Sequence, residues 1–168
     1  MTDLAVPPQY SHMAKAACLL LIHPEGDKTA VCSQRNSDIY GRPGGKMDPG
    51  ETMVQTAVRE THEEIGVLVD VSKLERLFAD AIPGERDFWV ESFIAVSPTE
   101  QLQQMEPGIS VQWTTWEQFL QHNAFKEYND NVHRAYQSWV ECRNLGKTYV
   151  MGQNHLQNVD SATEFSCS

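Results

Sequence analysis

Gly45-Lys46-Met47-Asp48-Pro49-Gly50-Glu51-Thr52-Met53-Val54-Gln55-Thr56-Ala57-Val58-Arg59-Glu60-Thr61-His62-Glu63-Glu64-Ile65-Gly66-Val67 is the stretch from which the rest of the sequence can be ordered. Its second half is a helix. Val54, Ala57, Val58, Thr61 and Ile65 recur at i, i+3, i+4, i+7 and i+11, a single stripe facing a core. Thr52 with Gln55 three residues later forms a capping box that starts the helix, and Gly66 stops it. In front of it, Tyr40 to Gly50 carries four glycines and two prolines in eleven residues and reads as a loop.

Upstream, Lys15 to His23 is an apolar run of strand length, and Asp27-Lys28 turns it into a second strand at Thr29 to Gln34. Downstream, Leu74 to Ile82 and Phe88 to Val96 read as strands joined through Pro83-Gly84. A short strand at Val111 to Thr114 leads into a helix at Trp116 to His122. A last helix at Asn129 to Cys142 has Val132, Ala135, Tyr136 and Trp139 at helical spacing. Strands, helix, strands, helices in that order predict an α+β fold (α/β in the broad sense), a mixed β-sheet sandwiched between helices. From Arg143 the chain is polar and aperiodic, so residues 1–142 form the domain and 143–168 a polar C-terminal tail.

The 168 residues fit one domain, and 40% apolar content supplies a core. The net charge of −10 argues against a grip on duplex nucleic acid, which needs Lys and Arg on phosphates. It leaves room for a small phosphorylated partner, because bound divalent cations supply positive charge locally. No apolar run approaches the roughly 18 residues of a membrane span, and the first ten residues lack the basic-then-apolar pattern of a signal peptide. Cys18, Cys32, Cys142 and Cys167 have no paired spacing, which disfavours zinc. Cys18 and Cys32 sit in apolar runs and read as small core residues; nothing demands an oxidising compartment, so the cytoplasm is the expected location.

The chemistry lies on the helix. At about 100° per residue, Glu60, Glu63 and Glu64 cluster on the face away from the apolar stripe, and their mutual repulsion disfavours the helix unless a cation lies between them. Converging carboxylates suit Mg²⁺ or Mn²⁺. Three glutamates alone equally describe a solvated acidic face; the glycine-rich turn entering the helix directly tilts the balance, since it sets backbone groups beside the acids.

Gly45, Glu51, Arg59, Glu60, Glu63, Glu64 and Gly66, at these spacings, resemble the Nudix box, and the looser similarity to MutT-like proteins runs over most of the chain up to about Cys142. One position departs: Thr61 stands where the family has a large aliphatic residue. The resemblance implies a Mg²⁺-dependent hydrolase of a diphosphate linkage in a nucleotide, most directly a nucleoside triphosphate, oxidised purines included, giving the monophosphate and pyrophosphate. ADP-ribose, a dinucleoside polyphosphate, NADH or an RNA 5′ end stay open, as does a non-catalytic nucleotide sensor and a homodimer. It further implies Glu60, Glu63 and Glu64 as metal ligands, the Gly44 carbonyl as an added oxygen, Glu51 and Arg59 as their support, and Glu60 as the general base. Glu106 is either a further acidic ligand or a surface glutamate. Arg35, Arg42 and Lys46 near the loop are phosphate-binding candidates or solubilising cations. Asn129 resembles a base-reading asparagine, and it also suits the N-cap of the last helix. Trp113, Trp116 and Phe125 either stack a base or fill the core.

Overall fold

Strand β1, Ala14–Ile22, is apolar without alternation because both of its faces are covered. Ala17, Leu19 and Leu21 belong to one apolar cluster, and Leu20 and Ile22 to another on the opposite side. The computed structural model describes residues 1–84, 87–151 and 166–167. After β1 come β2 (Lys28–Gln34), β3 (Gly44–Lys46), helix α1 (Met53–Ile65), β4 (Glu75–Ile82), β5 (Phe88–Val96), β6 (Ile109–Thr115), α2 (Trp116–Gln121), α3 (Lys126–Asn144), β7 (Tyr149–Val150) and β8 (Ser166–Cys167).

The main sheet runs β4-β5-β1-β2-β6, with β3 added against β1. β1 and β5 are parallel; the other pairs are antiparallel. Helix α1 lays Met53, Val54, Ala57 and Ile65 over one face, while α2 and α3 cover the other with Phe119, Val132, Ala135 and Trp139. The mixed sheet between helices expected from the sequence is the fold observed. No helix among the described residues is long and apolar enough to cross a membrane.

The boundaries of α1 follow their sequence signals. Thr52 Oγ1 accepts from Gln55 N and Gln55 Oε1 from Thr52 N, closing the capping box, and Gly66 ends the helix at φ 72°. Thr61 is fully buried on the apolar stripe, and its hydroxyl donates to Ala57 O at 2.7 Å. That bond satisfies the hydroxyl inside the helix, which explains how the departure from an aliphatic residue is borne.

Three expectations need correction. The glycine-rich segment is more than a loop: Gly44–Lys46 pairs with Ala16–Cys18 of β1, because backbone groups confined between two strands find partners there despite the glycines. The last helix begins at Lys126 rather than at Asn129; its N-cap is Phe125, without a side-chain bond, and Asn129 lies inside the first turns. The boundary drawn at 142 falls inside α3, and the chain beyond it is engaged: Tyr149 is buried with its hydroxyl on Leu77 O, β7 pairs with β8, and Cys142 is bonded to Cys167. Much of the expected tail, 152–165 and 168, lies outside the described residues.

Replacing Thr61 with Val keeps the shape and deletes a hydroxyl whose acceptor already sits in the helix ladder. Urea unfolding should then give a stability within about 1 kcal/mol of the native chain. A loss of several kcal/mol would show that the hydroxyl carries more than its own satisfaction.

Candidate active site

The site is built in a fork. β1 and β2 pair only at the hairpin, through Ile22 and Thr29, and then separate. Residues 41–46 fill the gap: Gly41 exchanges backbone hydrogen bonds with Cys32 of β2, Pro43 O accepts from Leu19 N of β1, and β3 continues along β1. This wedge delivers the chain to the N-terminus of α1 at a fixed height above the sheet.

Arg59 ties wedge and helix together. Its Nε and Nη2 donate to the two carboxylate oxygens of Glu51 at 2.7 and 3.0 Å, a bidentate pair. Nη1 donates to Glu60 Oε1 at 3.0 Å and to Glu63 Oε2 at 3.2 Å, and Nη2 also reaches Lys46 O at 3.1 Å. Glu51 accepts further from Asp48 N and Thr56 Oγ1. The Arg59 guanidinium, first among these partners, holds the Glu51 carboxyl down at about 2.

Glu64 points the other way, into the fork. Its Oε2 accepts from Gly44 N at 3.2 Å and from the Cys32 thiol at 3.9 Å. Burial pushes its carboxyl well above the ordinary range; the Gly44 bond opposes that rise, and the charges of Glu60 and Glu106 add to it. The half-buried Glu60 approaches so closely that a Cβ on Gly45 would stand 2.5 Å from Glu60 Oε1, so any larger residue there would displace the Glu60 carboxylate. Glu60 and Glu63 turn to Arg59 and Glu64 to Gly44, while the Glu60 and Glu64 carboxyls stay close enough to interact directly. Among the described residues, the place where three such ligand atoms do lie within 4.8 Å of one another is His23, Glu25 and Glu100, two of them exposed.

Glu64, Glu106, Gly44, Gly45, Lys46, Arg42 and Asn129 all line one cavity of about 980 Å³. Of the other sequence candidates, Arg35 is exposed and does not line it. Lys46 is exposed at the rim with Nζ 5.6 Å from the Phe88 ring centre. Asn129 is 95% shielded and accepts on Oδ1 from Arg42 Nε and Nη2, at 3.2 and 3.1 Å. Trp116 is core, Trp113 packs edge-on to His23 and donates to Glu100 O, and Phe125 stands exposed on the cavity wall. Cys18 and Cys32 are cavity-lining free thiols rather than plain core residues, and burial raises both, Cys32 to about 12, so neither is a thiolate near neutrality.

Sequence reasoning missed Ser92 and Tyr128. Ser92 Oγ accepts from Arg42 Nη1 at 3.2 Å and shares a 2.8 Å hydrogen bond with Tyr128 Oη. A signal was present: alternation along β5 puts Ser92 on the face of Val90 and Ile94, and a lone hydroxyl in such a row needs a partner.

Glu51→Gln should lower stability by about 2 kcal/mol at neutral pH, since a bidentate charged pair becomes at best a neutral contact. Glu51 carries its charge in the fold down to about 2, below its ordinary 4.5. The stabilisation is therefore complete above pH 4.5 and fades as pH falls towards 2. Urea unfolding of both forms along a pH series should show the gap between them narrowing below pH 4.5; a gap independent of pH would remove the charged pair as its source.

Comparison with known proteins identifies the family and the fold. The family model described as the NUDIX domain matches residues 12–136. Nudix hydrolase 3 of Caenorhabditis elegans is 40% identical over 98 residues, 55% of this chain, and the match spans 41% of that longer relative. The NUDIX domain of Shewanella oneidensis NrtR, solved with ADP-ribose, superposes with a TM-score of 0.62 at 18% identity, over 80% of this chain and 93% of that one. A MutT structure from Aliivibrio salmonicida and Vibrio cholerae gives 0.59 at 20% identity, over 75% and 98%. These two likenesses are likenesses of fold, and with the family match, which covers most of the sequence, they lead to one conclusion: the chain belongs to the NUDIX domain family.

Proposed function

We propose that the protein is a divalent-cation-dependent hydrolase of a diphosphate linkage in a nucleotide, cleaving a nucleoside triphosphate to the monophosphate and pyrophosphate. The observation that carries this reading is Glu64, a carboxylate held on the cavity wall by Gly44 N with the charges of Glu60 and Glu106 beside it. That excess of negative charge is relieved by a cation. The donors are all oxygen, which fits Mg²⁺ or Mn²⁺. Glu60, Glu63 and Glu64 would hold the ion, with the Gly44 carbonyl and Glu106 next to them. Bound there, a divalent cation neutralises phosphate charge and activates water for attack.

The chain's own residues do the positioning. Arg59 orients Glu60 and Glu63 while Glu51 fixes Arg59, so the acidic face is preset before any ligand arrives. Lys46 at the rim is placed for outer phosphates, and the cavity is large enough for a nucleotide. All three glutamates are present, which favours an enzyme over a nucleotide sensor on the same fold. The diphosphate linkage is shared with ADP-ribose, dinucleoside polyphosphates, NADH and an RNA 5′ end, and these belong in the same screen. A cytoplasmic location suits such substrates; reductants there work against the Cys142–Cys167 bridge.

With Mg²⁺, a phosphate-release screen should find hydrolysis of at least one nucleoside triphosphate, abolished by chelator and restored by Mg²⁺ or Mn²⁺. Activity that survives chelation would exclude the site as drawn. Glu63 is exposed, so Glu63→Gln should leave the fold intact and lower turnover at least about a hundredfold. Unchanged turnover at saturating Mg²⁺ would remove Glu63 from the machinery.

A further inference from the structure

We propose that Arg42 is the residue that selects the base, that it selects a 6-oxopurine bearing two adjacent acceptors, and that Asn129 is the positioning residue that holds it; this rests on the reading of the cavity as a nucleotide site. Arg42 lies in the wedge only two residues before Gly44, yet its side-chain bonds go to β5 and α3. Its side-chain partners are Ser92 of β5 and Asn129 and Tyr128 of α3, on the opposite side of the sheet. Arg42 and Glu64 line the same cavity, Arg42 bonded to the α3 side and Glu64 carried by α1.

A guanidinium has five N–H donors. Three are spent: Nε and one on Nη2 go to Asn129 Oδ1, and one on Nη1 goes to Ser92 Oγ. Two remain, one on each terminal nitrogen, and no carboxylate pairs with Arg42 among the described residues.

The group is pinned from both sides. Asn129 Nδ2 donates to Asn123 Oδ1 at 3.0 Å, and Asn123 Nδ2 in turn donates to Phe119 O and Leu120 O. Ser92 is fixed by Tyr128, whose hydroxyl reaches Val90 O, and the Tyr128 ring lies 5.9 Å from Arg42 Cζ. This is a preset cation, not a mobile surface one.

The same bonds keep Asn129 from accepting. Its oxygen already accepts two N–H groups, and of the two N–H groups on its nitrogen one goes to Asn123, so what is left can only donate and cannot receive a base amino group. The cavity wall at this point offers donors only. A donor pair from arginine matches O6 and N7 of guanine or hypoxanthine. Adenine puts an amino group beside N7, and 8-oxoguanine carries a proton on N7; each sets a donor against a donor. Phe125 and Ile39, 55% and 51% exposed on the cavity wall, offer apolar faces for the ring.

The test is direct binding, independent of turnover: titration of the protein with GMP, IMP, AMP and 7-deaza-GMP to millimolar concentration. GMP and IMP should bind at least about tenfold tighter than AMP and 7-deaza-GMP, which lacks the N7 acceptor. Arg42→Met should erase the difference. Asn129→Asp, which keeps an acceptor for Arg42, should preserve it, and Asn129→Leu should lose it. The 7-deaza comparison uses the native chain, so it decides the matter even where a variant fails to fold. Equal binding of all four, no binding of GMP, or loss of the preference in Asn129→Asp would overturn the proposal. So would an Arg42→Met form whose affinity for AMP and for pyrophosphate falls as far below the native chain's as its affinity for GMP, the signature of a phosphate contact. A base preference without hydrolysis of any nucleotide would sink the proposed function and leave this inference standing; hydrolysis without base preference would do the reverse.

Discussion

The Arg59 guanidinium is the contact on which the active-site half of the molecule depends. Its donors reach Glu51, Glu60, Glu63 and the carbonyl of Lys46, so one planar cation joins the wedge, the start of α1 and the acidic face. Without it, like charges a turn apart would repel, and the Gly44–Glu64 bond would be left to hold the loop to the acidic face. Its placement also explains the division among the glutamates. Arg59 satisfies Glu60 and Glu63 but does not bond Glu64, whose partners in the fork are a backbone N–H and a weak thiol donor. The acid left without a cationic partner is thus the one on the cavity wall.

What could be read from the sequence was whatever depends on local periodicity. The capping box at Thr52, the stop at Gly66 and the apolar stripe through Thr61 are all decided within one or two helical turns, and all are found in the fold. The unalternating run of β1 correctly signalled burial on both faces. What escaped depends on contacts distant in sequence. Gly44–Lys46 becomes a strand only because β1 and β2 diverge and leave unpaired backbone beside it. The start of α3 escaped for a related reason: Asn129 looks like a cap, and the true boundary at Phe125 has no capping side chain to announce it.

The Cys142–Cys167 pair shows the same limit from another side. The two residues are 25 apart, one at the end of a helix and one in a polar stretch without periodicity, and nothing in their spacing couples them. Cys18 and Cys32 mislead in the opposite way. Their apolar neighbours predict burial, and burial does raise both thiols, yet they lie beside the fork rather than in either cluster's interior. A strand that borders a cleft has the composition of a core strand, because its other face is still core.

The wedge from Gly41 to Lys46 also explains how one fold can keep a reaction and vary its substrate. Gly44 faces α1 and meets Glu64; Arg42, two residues earlier, faces α3 and meets Asn129 and Ser92. On the proposed reading, reaction and recognition are carried by opposite helix layers, joined through a short strand whose backbone is fixed on both edges. A change on the α3 side alters the donors and acceptors offered to a ligand without moving the carboxylates on α1. The family signature runs from Gly45 to Val67, the end of the wedge through α1, and Arg42, Ser92 and Asn129 lie outside it. That is why a match to the signature leaves the substrate open, and why the bonding of Arg42 bears on the substrate where the box does not.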